Sequence, residues 1–494
     1  MHVLAQHYDQ MRRRYPEDSL LILFDIDGTI IDMRHLVRHV LLRYDAIHGT
    51  RYFAPLDVDD IKVHENHVED LLEQLAVPEG RRADIMRFWL EKRWSRDSLL
   101  EAHRPFKGVM DVIRWFQMQP GVEVGLNTGR PESLRADTLR SLNELGHEFR
   151  VVFRDDLLRM NQRGWENNVP GSKADAIRQF QNDGYRVFAM VDNEPANLAA
   201  VAELDGCQDV LPLHAHTIFE GDCRELPASS ASGTDFELTE LATEDRVPAG
   251  IQFVWHGVND RGNLRQFLAS DVEWGELDVR SDPDSAEFVL HHDTLESRNG
   301  ETHNGDHVEE LLTFDEVIAE LRRFDKAIKV DLKEGSEAVT FVLEALAEEN
   351  FDESRTWFNA NIEVLGEDGF RQLRRARPQA IVQCPIDHLI SQIIDSPDGA
   401  RATLEELRSW GVSRFSIEWG PSELPDVVDR LGTWGFEANL YNVPDLDAFL
   451  HAVLLKPRSV TADFNFPEWH YYGRGAGKNG QYYSYSVDDE AAAA

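Results

Sequence analysis

Two aspartates close the run LLILFDIDGT. Asp25 and Asp27 stand two positions apart after a strand-like apolar stretch, so both carboxylates project from roughly the same side of the chain. An ionised carboxylate buried at a strand end costs on the order of several kcal/mol unless a cation meets it. Three later segments bring complementary groups in order: LNTGR supplies the Thr128 hydroxyl, GSKADAIRQF the Lys173 ammonium at the opening of a helix, and FAMVDNEPANL a further acid, Asp192, after a strand. Gly28 permits the tight turn that must follow Asp27.

The second half carries a different set. Strand-like runs end in His256 (FVWHGVND), in Glu276 and Asp278 (GELDVR), in His292 and Asp293 (FVLHHDTLESR), and in Asp331 and Lys333 (IKVDLKE). Asn359, Asn361, Glu418 and Tyr441 close later runs. Polar pairs at i, i+2 facing one side of a strand are expensive to bury unless they build a site. Glu276, Asp278 and Asp331 offer an oxygen-rich pocket suited to calcium or magnesium, and two histidines beside such an ion suit general base and general acid roles.

These residues need elements to hold them. Before residue 220, short β-rich runs (LLILFDID, VEVGLNT, FRVVFR, YRVFAMVD, QDVLPLHA) alternate with helical patterns, which predicts a doubly wound parallel sheet covered by helices on both faces. Residues 33 to about 105 interrupt it with helical, strand-poor sequence and read as a helical cap. Residues 221–249, acidic and rich in Ser, Ala and Thr, read as a linker. From 250 to 470 eight strand-helix units follow (251–257, 272–280, 327–333, 356–362, 380–386, 414–420, 436–443, 459–464), the count and length of a closed (β/α)8 TIM-type barrel. The polar, Gly-rich end, 471–494, reads as disordered. The fold class is therefore α/β, a capped parallel sheet followed by a barrel.

The ordered set Asp25-x-Asp27-Gly28-Thr29, Thr128, Lys173 and Asp192 resembles the haloacid dehalogenase (HAD) superfamily. The resemblance implies a phosphatase in which Asp25 is the nucleophile, Asp27 the general acid and base, Thr128 a phosphate-oxygen ligand and Lys173 a charge neutraliser. Magnesium would be held by Asp25, the backbone carbonyl of Asp27, and Asp192. Asn193 follows Asp192 where a second acid is frequent, which leaves Glu194 and Asn197 as outer ligands. The barrel region resembles glycerophosphodiester phosphodiesterases and phospholipase C-like barrels, and within them the menorin family. It departs from them in Gly257, where an arginine is usual, and in Asp331, where a glutamate is usual. The resemblance implies a metal-dependent phosphodiesterase, and the pairing of the two halves suggests the hypothesis that it leaves a monoester for the first domain to strip. The alternative is a phosphatase carrying a catalytically inactive, ligand-binding or scaffolding barrel. Specificity would reside in the cap, where His35, His39, His64, His67 and Arg51 carry no ligand spacing.

Composition narrows the partners. A net charge of −38 disfavours nucleic acid, whose binding rests on basic patches and counterion release. Nine of the 51 basic residues are lysines, a bias shared by proteins of high-salt environments and acidic proteins of GC-rich genomes. No apolar run reaches membrane-spanning length, the first residues lack a signal-peptide pattern, and Cys207, Cys223 and Cys384 are too scattered for a disulfide framework. The expectation is a cytoplasmic hydrolase acting on a phosphorylated small molecule.

Overall fold

The run LLILF forms β1 (Leu20–Phe24), and all five of its side chains are buried. A strand apolar on both faces needs cover on both, which a parallel sheet flanked by helices provides. The strand joins β2 (Val122–Pro131), β3 (Leu158–Asn161), β4 (Arg186–Asp192), β5 (Leu211–Ala215) and β6 (Ala231–Gly233) in one parallel sheet ordered β3-β2-β1-β4-β5-β6. In such a sheet the chain order reverses between β1 and β4, and the crevice at their carboxyl ends is where ligands bind. The computed structural model describes residues 1–162, 168–217, 225–242, 247, 250–270, 272–283, 287–295 and 311–462. It divides into two compact units, Met1–Ala242 and Thr243–Ala494.

The helices of the first unit are α1 (His2–Arg14), α2 (Met33–His48), α3 (Val68–Gln74), α4 (Glu79–Lys92), α5 (Arg96–Ala102), α6 (Val109–Met118), α7 (Arg135–Gly146), α8 (Val169–Asn182), α9 (Pro195–Ala202) and α10 (Leu238–Leu241). α1, α6, α8 and α9 pack on the sheet, and α2 to α5 form the insertion between β1 and β2. The insertion leaves and returns through one narrow seam. Ile31 bridges Pro105 antiparallel, Asp32 N donates to Arg104 O at 2.9 Å, and Phe106 N donates to Ile30 O at 2.9 Å. Asp32 caps α2 by accepting from Arg34 N.

Two expectations for this unit need correction. FRVVFR is not a strand. The amides of Phe149, Arg150 and Val151 turn back to the carbonyls of Gly146 and His147, and Asn143 satisfies both the N–H and the C=O of Phe153. Its apolar pattern reports the burial of Val151 and Phe153, while Leu158–Asn161 takes the place in the sheet. The expected linker is in part folded: Ala231–Gly233 is the edge strand β6, and Phe236, Leu238 and Leu241 are buried. Residues 471–494 lie outside the described residues.

In the second unit β7 (Gln252–Trp255), β8 (Trp274–Ser281), β9 (Phe288–Leu290), β10 (Ala327–Leu332), β11 (Thr356–Asn359), β12 (Ile381–Pro385), β13 (Arg414–Glu418), β14 (Glu437–Val443) and β15 (Ser459–Ala462) follow in turn. β15 pairs with β7 and β8 with β10, so eight parallel strands close into a ring and β9 lies antiparallel against β8. The expected fold class, a parallel α/β sheet followed by a (β/α)8 barrel, is borne out. Among the described residues no helix is long and apolar enough to cross a membrane.

Candidate active site

Asp25 follows β1 directly, its N–H donating to Val191 O at 2.8 Å. The register Phe24↔Val191 then sets Asp25 beside Asp192 at the carboxyl ends of β1 and β4. Lys173 reaches them from α8, whose first turn is held by the Asn168 side chain accepting from Gly171 N. Its Nζ lies 2.6 Å from Asp25 Oδ1 and 2.5 Å from Asp192 Oδ2. All three side chains are nearly sealed from solvent, with exposures of 2% for Lys173, 7% for Asp25 and 0% for Asp192. Asp192 also accepts from Glu194 N and Asn197 Nδ2. Burial, which Lys173 only partly counters, pushes the Asp25 carboxyl up to about 8, and the Asp192 and Asp27 charges add to the shift. Burial also opposes the Lys173 ammonium, but Asp192 and Asp25 outweigh it and raise its pKa.

Asp27 is held by Arg130. The guanidinium donates Nε to Oδ2 at 2.8 Å and Nη2 to Oδ1 at 2.5 Å, a bidentate pair on a side chain that is 11% exposed. Gly28 has φ +82°, and a Cβ there would run into the Asn193 amide, so the turn after Asp27 needs glycine twice over. Thr128 lies buried on β2, its Oγ1 accepting from Arg130 N at 3.2 Å.

Over these groups lies a cavity of about 540 Å³, lined by Asp25, Asp27 and Lys173 from below and by His64, Arg93 and Trp94 from the insertion. His64 is buried and bridges Glu194 at 3.0 Å and Glu65 at 3.2 Å. Burial opposes its charged form, yet the Glu194 hydrogen bond and the two carboxylates raise its pKa. Of the other cap residues, His67 lines the cavity. His35 and His39 face Asp32 and Glu101, and Arg51 is exposed.

The barrel arranges its predicted residues differently from expectation. Register pairs Asp331 with Asp278 and Lys329 with Glu276 across β10 and β8. Lys333 Nζ sits 2.9 Å from Asp278 Oδ1 and 2.5 Å from Asp331 Oδ2. Asn259 Nδ2 donates to Asp278 Oδ2 and Asn359 Nδ2 to Asp331 Oδ1, so all four oxygens have protein partners. Glu276 lies one layer deeper, paired to the buried Lys329 at 3.0 Å, and Lys329 also donates to Thr461 Oγ1. Of the expected ligand set, Asp278 and Asp331 are brought together with Lys333 between them, while Glu276 stands one layer away on Lys329 with its Oε2 lacking a hydrogen-bond partner among the described residues. Burial would raise Asp278, but Lys333 and His256 overcome it and lower its pKa, whereas burial raises Asp331 against the pull of Lys333. His256 is thus close enough to act on Asp278. His292 is 47% exposed and paired with its neighbour Asp293 at 3.0 Å. Arg280 is tied to the His292 carbonyl, and Gly257 has φ +65°, a left-handed turn that an arginine would adopt only under strain. Tyr441 donates to Asp387, Glu418 accepts from Asn442, and Asn361 is the exposed residue before the next helix.

Residues 20–227 match the family of haloacid dehalogenase-like hydrolases. The first unit thus carries a hydrolase domain of that kind and is an enzyme domain. No curated protein is significantly similar to the chain. Among solved structures, the chain is similar to a HAD-superfamily hydrolase of subfamily IA from Geobacter sulfurreducens (14% identity, 44% of this chain and 94% of that one, TM-score 0.29). It is also similar to CbbY from Rhodobacter sphaeroides in complex with phosphate (17%, 45% and 98%, TM-score 0.28). A third is glycerophosphodiester phosphodiesterase from Agrobacterium tumefaciens (16%, 43% and 96%, TM-score 0.30).

Several residues of the hydrolase domain's site were not anticipated from sequence. Arg130 is fully buried, and besides Asp27 it contacts Thr138 Oγ1 at 3.1 Å and His103 Nε2 at 3.3 Å. His103 in turn meets Ser141 at 2.7 Å. The motif LNTGR contains Arg130, but only its paired hydrogen bonds show that it turns toward Asp27. Arg93 and Trp94 carried no signal beyond membership of an amphipathic segment.

Proposed function

We propose that the first unit is a magnesium-assisted phosphomonoesterase for a small-molecule substrate. The carrying observation is that Lys173 touches both Asp25 and Asp192 at the floor of the cavity. Those two carboxylate oxygens can lie no further apart than the sum of their distances to one Nζ, so they face a common point. The expected ligand set here asks for two side chains and the Asp27 carbonyl, and these oxygen donors fit a hard dication. Bound there, the ion would neutralise charge on the phosphoryl oxygens. In the proposed reaction the Asp25 carboxylate attacks phosphorus, the ester P–O bond breaks, and Asp27 gives its proton to the leaving alkoxide. Asp27 then takes a proton from water, which releases phosphate from the aspartyl-phosphate and restores Asp25. Lys173 balances negative charge through both steps. Asp27 supports an ester substrate in particular, because dehalogenation leaves no alkoxide to protonate.

For the barrel the observations favour the second reading, a domain that binds a ligand without metal-dependent phosphodiester cleavage. What supports it is Gly257, which leaves no guanidinium directly after His256 to grip a phosphate, and Glu276, which is paired to the buried Lys329 one layer below Asp278 and Asp331.

The test is phosphate release from a panel of metabolite monoesters and diesters with magnesium. The wild type should act on monoesters and carry a phosphoryl adduct on Asp25 detectable by mass spectrometry, and Asp25→Asn should abolish both. Phosphate release unaffected by Asp25→Asn would overturn the assignment. Diester cleavage that survives Asp25→Asn and is lost in Glu276→Gln would restore the phosphodiesterase reading of the barrel.

A further inference from the structure

We propose that Arg130 and His103 are positioning residues that fix the proton-transferring carboxylate of Asp27 and tie its placement to the helical insertion. The inference rests on the phosphomonoesterase reading and deepens it. Its basis is a chain of hydrogen bonds whose directions are forced. Arginine has donors only, so at the 3.3 Å contact His103 Nε2 must accept from Arg130 Nη2. The imidazole proton then belongs on Nδ1, which donates to Ser141 Oγ at 2.7 Å. Ser141 Oγ has its own proton left for Leu99 O, at 2.9 Å.

Leu99 lies on α5, the last helix of the insertion, and His103 lies on the segment that returns from it. A second tie comes from Trp94, also of the insertion, whose ring centroid is 5.3 Å from the Arg130 guanidinium. At the other end both Asp27 oxygens are held by parallel donors from the same fork, the arrangement that fixes a carboxylate's plane as well as its position. Thr138 Oγ1 takes Nη1. The guanidinium is thus held by Thr138, His103 and Trp94 while it grips Asp27, and it has no exposed surface. Each Asp27 oxygen keeps one lone pair outside the fork, and a proton taken up there is presented to the leaving oxygen at one angle; misplacement by about 1 Å is enough to cost on the order of 100-fold in rate.

The experiment compares two esters with the full-length protein and magnesium. Butyl phosphate expels an alkoxide and needs a proton, whereas p-nitrophenyl phosphate expels a stable phenolate and does not. The readout is kcat/KM, which covers phosphoryl transfer to Asp25 and excludes the later hydrolysis. Arg130→Lys should lower kcat/KM for butyl phosphate about 100-fold and for p-nitrophenyl phosphate less than about 3-fold. With the latter ester kcat and KM should fall together, because Asp27 still has to activate water. His103→Leu should reproduce the pattern at about 10-fold, and His103→Gln, which keeps an acceptor for Arg130, should recover most of it.

Equal losses on both esters would overturn the proposal, since they would place Arg130 on the phosphate or in the fold. No loss on either would overturn it as well. An independent measurement needs no turnover: the ring nitrogens of His103, observed by NMR, should show the Nδ1–H tautomer, and the other tautomer would break the chain of bonds. Wild-type protein inactive on every ester would instead refute the phosphatase reading, and with it the proton-transfer role of Asp27.

Discussion

Lys173 offers a test in which the sign of an effect changes with background. Its ammonium is the cation that meets Asp25 and Asp192, at 2.6 and 2.5 Å, with almost no solvent at any of the three groups. Lys173→Met leaves two buried carboxyl groups facing one another. Removing one partner of a buried ion pair costs about 3–5 kcal/mol; Asp25, already raised to about 8, takes up a proton instead, so Asp192 is the one charge left uncompensated and the expected loss lies at the lower end of that range. In an Asp25→Asn/Asp192→Asn background the same lysine is a lone buried cation beside neutral amides. There Lys173→Met should be neutral or stabilising by about 1–3 kcal/mol, because it removes a desolvated charge. Whole-chain denaturation would mix two units, so the assay is hydrogen exchange of the peptide spanning 20–27, whose Asp25 amide bonds to Val191 O and reports local opening. Metal is excluded by chelator throughout. A destabilisation of equal size in both backgrounds would show that the carboxylates are not what the ammonium serves, and would remove the charge argument on which the site rests.

Gly28→Ala should remove phosphatase activity and cost about 1–3 kcal/mol, since the residue sits at φ +82° and a Cβ would collide with Asn193; wild-type turnover by the purified variant would refute this. His103 supplies a pH dependence: burial, then Arg130 and Arg104, hold its pKa well below 6.5. The folded state therefore binds fewer protons than the unfolded state below that pH, and stability falls as the pH drops, by about 1.4 kcal/mol per unit. His103→Gln should flatten the slope of local opening free energy between pH 6.5 and 5, and an unchanged slope would show that His103 is not its source. In the barrel, Lys333→Met should create divalent-ion binding that titration calorimetry resolves from the first unit's site by its persistence in Asp192→Asn. A wild-type barrel that already binds calcium in the Asp192→Asn protein would refute the internal-cation argument.

The legible part of the candidate site was the part that lies on strand ends. Asp25, Asp27, Lys173 and Asp192 each follow or precede a recognisable element, and their order along the chain carries their proximity. Arg130, His103 and Ser141 were not legible as a group, because they meet through the packing of β2, α7 and the return segment rather than through spacing. Lys329 was readable in principle. IKVDLK alternates with period two, so Lys329, Asp331 and Lys333 share the inward side of β10, and Lys329 has to be placed opposite a partner. Omitting it left the ion pair of Glu276 unforeseen. FRVVFR misled for a related reason: alternation reports which side chains are buried, and a turn satisfied by Asn143 buries them as well as a ladder does. The edge strand β6 consists of Ala, Ser and Gly, with no apolar pattern for sequence reasoning to find.

The seam at Ile31 and Pro105 has a consequence for how such a protein diversifies. Because the departing and returning backbones are already bonded to each other, the sheet meets the seventy or so intervening residues only as a closed junction, and loop-closure entropy grows slowly with what is threaded through it. Segments of different length can be threaded through that junction while β1 keeps its place, but Leu99 and Trp94 belong to the chain of contacts that ends on Asp27, so whatever is exchanged has to leave those two partners standing.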